Sequence, residues 1–328
     1  MNTARQPPTP SGLPARVLLR RLALTLWQAL WVALLVGTLS FWLLRLLPGD
    51  AAWRIAASRY GYDLVDAAAA AAVRQELALD QPGLLALLAW WRDLLQFNLG
   101  HSLVSGEPVW QALLHEGGHT LVLAGAALAL AAAIGLPLGL AAGTRPGGWL
   151  DRCTLGAAVL LRALPPFVLG LALMLWLAVQ WSALPAAGHG GHGHVLLPAL
   201  TLALPLAALL CRVTRDALVA VRASAAYHFA HTKGLSPGWA LWRHGLRNLG
   251  VPVLATLGVQ GVLLVEGVVV VESLFAWPGI GHALVHALFA RDVPMVQGAA
   301  LTLGLLFVLF NATLDLACQA LDPRRQTP

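Results

Sequence analysis

The stretch Tyr227–Pro252, YHFAHTKGLSPGWALWRHGLRNLGVP, is a polar and basic island between two long apolar segments. The residues Ala217–Lys233 are rich in alanine and contain no proline or glycine, so they predict a single helix. Gly234 suits the position just after a helix, because glycine adopts a positive φ at little cost. Ser236-Pro237 then predicts the start of a second helix, with serine as the N-cap and proline in the first turn. This pattern predicts a helix–glycine–helix elbow.

The composition around this island indicates a membrane protein. Of the 328 residues, 58% are apolar and only 11% are charged, whereas soluble domains carry roughly 25% charged residues. The charges are also segregated, which leaves apolar windows of about the 20 residues needed to cross a bilayer. The sequence therefore predicts an all-α polytopic membrane protein with six transmembrane helices, at Leu22–Leu44, Thr120–Ala142, Ala163–Leu184, Val195–Cys211, Leu249–Val271 and Val293–Leu314.

The basic residues predict the orientation of these spans. With both termini in the cytoplasm, 15 of the 21 lysines and arginines fall on the cytoplasmic side, as the positive-inside rule expects. The outside retains only Arg45, Arg54, Arg59, Arg74, Arg92 and Arg291. This orientation places the elbow in the cytoplasm. It also means that the net charge of +6 does not indicate nucleic-acid binding.

Several short segments, in their order and spacing, resemble those of ABC importer permeases, and most closely the dipeptide/oligopeptide/nickel permease family. The elbow is similar to the cytoplasmic coupling loop of that family, through Lys233, Gly234, Leu235 and Ser236 followed by Arg243, His244, Asn248 and Pro252. Further matches are LLRLLPGD at Leu43–Asp50, FNLGHS at Phe97–Ser102, VESLFAWPGIG at Val271–Gly281, and Arg291-Asp292. The resemblance runs from about Leu18 to Arg325.

The resemblance implies the fold of a type I ABC importer permease and a division of the chain. We expect a disordered cytoplasmic N-terminus (residues 1–15), a first transmembrane helix (16–47), a periplasmic segment (48–117), a permease core (118–321) that contains the coupling loop (215–247), and a cytoplasmic tail (322–328). The expected function is to form half of the translocation pathway for short peptides in a bacterial inner membrane. The chain is expected to be a transporter subunit and not an enzyme.

The resemblance also implies partners. These are a second homologous permease subunit, two ABC ATPase subunits that bind ATP and Mg²⁺, a periplasmic solute-binding protein and the lipid bilayer, with no nucleic acid. The sequence contains no Gly-rich phosphate loop of the Walker type, so this chain is expected to bind no cofactor itself.

Two groups of site residues follow from the resemblance, and none is predicted to be catalytic. The residues expected to couple to the ATPase are Tyr227, Lys233, Gly234, Leu235, Ser236, Arg243, His244 and Asn248. The candidates for the pathway or its gate are Glu266, Glu272, Pro278, Gly279 and Gly281. Glu266 departs from the family, which usually has a small residue there. An ionisable group in a span normally faces a cavity or a partner, although an interfacial or neutralised carboxyl remains open.

Two alternatives concern metals. His115-Glu116-Gly117-Gly118-His119 fits the H-E-x-x-H pattern of zinc peptidases and suggests an intramembrane metallopeptidase that uses His115, Glu116 and His119. A nickel or metal-chelator permease would use imidazoles from the Gly/His run and from an i,i+4 pair, although His-rich tracts are only compositional evidence. Those weak metal candidates are His189, His192, His194, His282 and His286.

Overall fold

The computed structural model describes residues 15–46, 48–61, 63–76, 81–241 and 245–321, and no β-strand occurs in these ranges. This confirms the all-α fold class. The α-helices, in chain order, are α1 (Ala15–Leu46), α2 (Ala51–Tyr60), α3 (Ala67–Glu76), α4 (Gly83–Leu95), α5 (Val109–Thr144), α6 (Trp149–Ala163), α7 (Pro166–Leu173), α8 (Leu196–Arg222), α9 (Ala225–Thr232), α10 (Pro237–Ala240), α11 (Leu246–Leu274), α12 (Ile280–Ala290) and α13 (Val293–Leu321).

Several of these helices are long and apolar enough to cross a membrane. Four segments qualify within the described ranges: Leu19–Leu43, Val109–Thr144, Gly193–Arg222 and Val293–Cys318. A fifth would be the pair Trp149–Ala163 and Pro166–Gln180, which meet at 109°. The protein is therefore a polytopic helical membrane protein. The count of six spans stays a prediction. The remaining predicted span, Leu249–Val271, lies within α11.

The bend between α6 and α7 lies inside a predicted span. Leu164 has an extended backbone, with φ −88° and ψ 127°, because the ring of Pro165 disfavours a helical conformation in the residue before it. Helix α7 then starts with Pro166 in its first turn, where the missing N–H is tolerated. The two prolines thus turn the chain sharply where apolar composition alone predicts a straight helix.

The centre of the fold is the close packing of α5 against α8. A Cβ atom on Gly135 would lie 2.6 Å from the carbonyl oxygen of Ala207, and one on Gly139 would lie 2.5 Å from that of Cys211. Real side chains do not fit at such distances, so only glycine allows the two backbones to approach this closely. This seam fixes one end of α5 beside α12 and the other end beside the C-terminal end of α8.

The loops at the predicted outer end meet at one polar junction. Nη1 of Arg291 donates a hydrogen bond to the carbonyl oxygen of Gly49 at 2.8 Å. The buried carboxylate of Asp292 accepts hydrogen bonds from Ser102 Oγ and, at 3.1 Å, from the backbone N–H of Leu103. The segments LLRLLPGD and FNLGHS, which are far apart in the sequence, are therefore joined by a single arginine–aspartate pair.

Candidate functional site

The coupling segment, defined here as residues 223–241, differs from the prediction at its start. The single helix expected over Ala217–Lys233 is wrong, because α8 ends at Arg222 and α9 begins at Ala225. Ser224 lies between them, and its Oγ accepts a hydrogen bond from the N–H of Tyr227 at 3.3 Å, as an N-cap does. Ser224 was the available signal, since serine side chains offer the backbone an alternative to a continuous helix.

The turn at the end of α9 follows the prediction. Gly234 has φ +84°, which confirms the expected positive φ. The N–H of Leu235 bonds to the carbonyl oxygen of Ala230 at 3.2 Å, the six-to-one hydrogen bond of a Schellman motif. A Cβ on Gly234 would meet no atom within 4 Å, so backbone conformation alone, and not space, favours glycine here.

The exposed surface around this turn carries aromatic and cationic groups. Helix α10 follows it, and the N–H of Ala240 bonds to the carbonyl oxygen of Ser236 at 2.9 Å. Phe229 and Trp239 are 61% and 52% exposed, respectively, and the Lys233 ammonium lies 4.7 Å from the Phe229 ring centroid. The inner side is a small apolar cluster built on Val221, Tyr227, Ala230 and Ala240, with Leu235 and Leu241 against it.

The other three residues predicted for coupling are Arg243, His244 and Asn248. Arg243 and His244 lie outside the described residues. Asn248 is exposed in the first turn of α11. The structure thus brings Tyr227, Lys233 and Gly234–Ser236 together around one turn.

A charged brace supports the C-terminal half of α8, and the sequence did not reveal it. The buried carboxylate of Asp151 accepts hydrogen bonds from Arg212 Nη1 at 2.8 Å and from Arg215 Nη2 at 2.6 Å. Its Oδ2 also accepts the backbone N–H of Gly147 at 2.8 Å. In the sequence, the two arginines indicate only the orientation of the membrane spans. No local spacing connects them to Asp151.

At the other end, Glu272 forms a buried junction between three helices. Its carboxylate is fully buried and accepts hydrogen bonds from Thr120 Oγ1 at 2.8 Å and from the Gly281 N–H at 2.7 Å. Thr120 Oγ1 in turn accepts the N–H of Ile280 at 2.9 Å. The carboxylate thus lies at the N-terminus of α12, where the helix dipole favours a negative charge. We call this arrangement the Glu272 junction.

The predicted gate residues that follow Glu272 fit tightly around it. A Cβ on Gly279 would lie 2.1 Å from Glu272 Oε1, and one on Gly281 would lie 2.5 Å from the Cα of Val269. Pro278 is half-buried in the same turn. The structure therefore assembles Glu272, Pro278, Gly279 and Gly281 at one place. The side chain of Glu266 in α11 lies outside the described residues.

The described histidines lie close together at two places. His115 and His119 share a face of α5, with ring centroids 5.3 Å apart, and His189 lies 5.3 Å from His119. The rings of His282 and His286 are 4.4 Å apart, so this pair shares a face of α12.

Three further observations concern the metal alternatives. His194 folds back against Gly188 of its own loop, and the side chain of His192 lies outside the described residues. Over the ranges that the structure describes, no group of three or more His, Cys, Asp or Glu residues is arranged to hold a metal ion. The H-E-x-x-H pattern therefore gains no third ligand there, and the metallopeptidase hypothesis has no support from it.

Comparisons with known proteins show which proteins this chain is similar to. Residues 135–327 match the model of the family described as "Binding-protein-dependent transport system inner membrane component". The chain is 34% identical over 315 residues to a "Probable peptide ABC transporter permease protein y4tP" of Sinorhizobium fredii, covering 94% of this chain and 98% of the relative. It is 36% identical over 290 residues to a "Glutathione transport system permease protein GsiC" of Salmonella paratyphi A, covering 88% and 93%.

Proposed function

Because this chain belongs to the family of binding-protein-dependent transport system inner membrane components, we propose that it is the permease subunit of an ATP-driven importer of short peptides. The peptide class rests on the similarity to permease proteins named for peptide and glutathione transport. In this role the chain forms half of the translocation pathway, and a second homologous permease subunit forms the other half. No observation favours nickel as the cargo.

The observation that carries this proposal is the shape of the coupling segment. The turn at Gly234 is fixed by backbone hydrogen bonds, and the side that faces away from the bundle exposes Phe229 and Trp239 beside Lys233. Exposed aromatic groups of this size are typical of a surface that docks onto another protein. This supports docking of α9 and α10 into a groove on an ABC ATPase subunit.

The remaining partners follow from the same proposal. Two ATPase subunits bind and hydrolyse ATP with Mg²⁺, and their closure moves the permease helices as rigid bodies. A periplasmic solute-binding protein delivers cargo to the outer face, where residues 51–116 and 272–292 contribute to its docking. The protein is placed in a bacterial inner membrane with both termini in the cytoplasm, in agreement with its basic residues.

Transport by the complete complex tests this proposal. The chain is reconstituted in proteoliposomes with a second permease, the ATPase subunits and the binding protein encoded beside it, and uptake of a radiolabelled dipeptide is measured. We expect uptake that requires both ATP and the binding protein. ATP-dependent uptake of radioactive nickel without uptake of dipeptides would contradict the peptide proposal, and uptake without ATP would contradict the transporter class.

A further inference from the structure

An open cavity of ≈ 580 Å³ lies at the predicted outer end of the molecule. Its walls come from α2, from the loop before α5, and from α5, α12 and α13. The volume falls in the range of roughly 300–1,000 Å³ that small-molecule pockets occupy. The polar side chains that line it are Ser58, Ser102, Ser105, Glu116, His286 and Asp292.

Glu116 is the group in this cavity whose hydrogen bonding is incomplete. It is half-buried, and its Oε2 atom is buried without a hydrogen-bond partner among the described residues. A buried carboxylate oxygen without a donor is costly, so a site of this kind favours a ligand that brings N–H groups. Glu116 is also the central residue of the H-E-x-x-H pattern.

The neighbouring charges favour a cation. Asp292 already accepts hydrogen bonds from Ser102 Oγ, from the Leu103 N–H and from the Met295 N–H, so its charge adds to the negative potential without needing a donor. No lysine or arginine occurs among the described residues that line the cavity. The wall is thus acidic at Glu116 and Asp292 and offers serine hydroxyl oxygens as further acceptors.

A primary ammonium group matches this set of acceptors. It carries three N–H donors, which can meet the carboxylate of Glu116 and hydroxyl oxygens such as those of Ser58 and Ser105. The α-ammonium is also the group that short peptides share whatever their side chains. We propose that this cavity binds the free α-ammonium group of a peptide on its way into the pathway, with Glu116 as the principal acceptor. The proposal rests on the function proposed above.

The first test compares two substrates in the complete reconstituted transporter. Uptake of a labelled dipeptide with a free amine and of its N-acetylated form is measured for the wild type, for Glu116→Gln and for Asp315→Asn, an exposed carboxylate of α13 outside the cavity lining. We expect Glu116→Gln to raise KM for the free-amine peptide about tenfold, the scale of one lost charge-assisted hydrogen bond. The acetylated peptide should be unaffected, and Asp315→Asn should behave as the wild type.

Unchanged KM in Glu116→Gln, or an equal loss for both peptides, would overturn the ammonium site while leaving the transporter function intact. If the wild type takes up no peptide at all, it is the proposed function that fails. These results are distinguishable because the wild type is measured with the same peptides and with ATP.

A second test covers the case in which the acetylated peptide is a poor substrate. Ser105→Cys places a thiol in the cavity wall, in a chain whose three native cysteines are replaced by alanine, and its reaction with a cationic thiol reagent is timed in the complete complex. We expect the free-amine dipeptide to slow this reaction and the acetylated one not to, with the protection lost when Glu116→Gln is added. Absence of protection by the free-amine dipeptide, or equal protection by the acetylated one, would overturn the proposal.

Discussion

The outer junctions and the coupling segment are held together in different ways. Glu272 bonds to Thr120, which lies 152 positions away in the sequence, and Arg291 bonds to Gly49 across 242 positions. In the coupling segment the corresponding hydrogen bond joins Leu235 to Ala230, only five residues earlier, and aromatic side chains remain exposed. The outer end is therefore completed by contacts within this chain, whereas the coupling segment is a local turn that leaves a surface for a partner.

This difference separates stability from coupling. Changes in the outer junctions should unfold the protein more easily, because they leave buried polar groups without partners. Changes in the coupling segment should preserve the fold of this chain and reduce transport. The predictions below test this distinction, beginning with the largest expected effect.

Glu272→Ala should be strongly destabilising. It removes the acceptor of Thr120 Oγ1 and of the Gly281 N–H in a fully buried site, and we expect a loss of about 3 kcal/mol. The measurement is the thermal unfolding midpoint of the purified chain in detergent. Ser273→Ala is the matched control, because Ser273 bonds only to the Val269 carbonyl within its own helix. If both variants unfold at the same temperature, the Glu272 junction does not stabilise the outer end.

Gly234→Val should uncouple transport without unfolding the chain. A β-branched residue at φ +84° is strained by roughly 1–2 kcal/mol or more, which is enough to displace α10 from its docking position. We expect reduced uptake and reduced substrate-stimulated ATPase activity in the reconstituted complex, with a thermal midpoint near that of the wild type.

Gly238→Ala is the control for this change, because a Cβ there also meets open space but the residue lies inside α10. It should transport normally. Normal coupling in Gly234→Val would show that the turn is not required.

Asp151→Asn should have an intermediate effect, since it weakens the brace between α6 and α8. An amide oxygen can accept one hydrogen bond but no longer offers a charge to Arg212 and Arg215. The thermal midpoint should fall by less than in Glu272→Ala. Asp216→Asn, which changes an exposed partner of the same Arg215, should leave the midpoint nearly unchanged. An equal shift in the two variants would mean that burial of Asp151 adds nothing to the brace.

Asp50→Asn should give the smallest effect, and one that depends on pH. Partial burial alone would raise the pKa of Asp50, but the hydrogen bonds from Arg74, Ala52 and Trp53 lower it below its ordinary value of 3.8. The ion pair therefore stabilises the fold above pH 3.8, and this contribution is lost as the pH falls through the lowered pKa.

Asparagine still caps α2, so only the exposed pair with Arg74 is removed, at a cost of about 0–1 kcal/mol. The difference in thermal midpoint between wild type and Asp50→Asn should be small at pH 7 and should shrink on acidification. A difference that grows below pH 3.8 would contradict the lowered pKa.

The sequence by itself determined the features that depend on composition and on neighbouring residues. Apolar runs predicted the membrane helices and the all-α class, because burial in a bilayer depends on apolar length. The turn at Gly234 followed from the conformational freedom of a single residue. The break at Ser224 is also local, but the alanine-rich run around it predicts a continuous helix.

Only the tertiary structure decided which distant polar groups meet. Glu272 and Asp292 each accept a side-chain hydrogen bond from a residue more than 150 positions away, and Asp151 meets Arg212 and Arg215 across 61 and 64 positions. Such pairs leave no periodic signal, because they depend on the close approach of α5 to α8 and on the bend at Pro165. The hydrogen bonding of the Glu116 carboxylate depends in the same way on helices that no local pattern brings together.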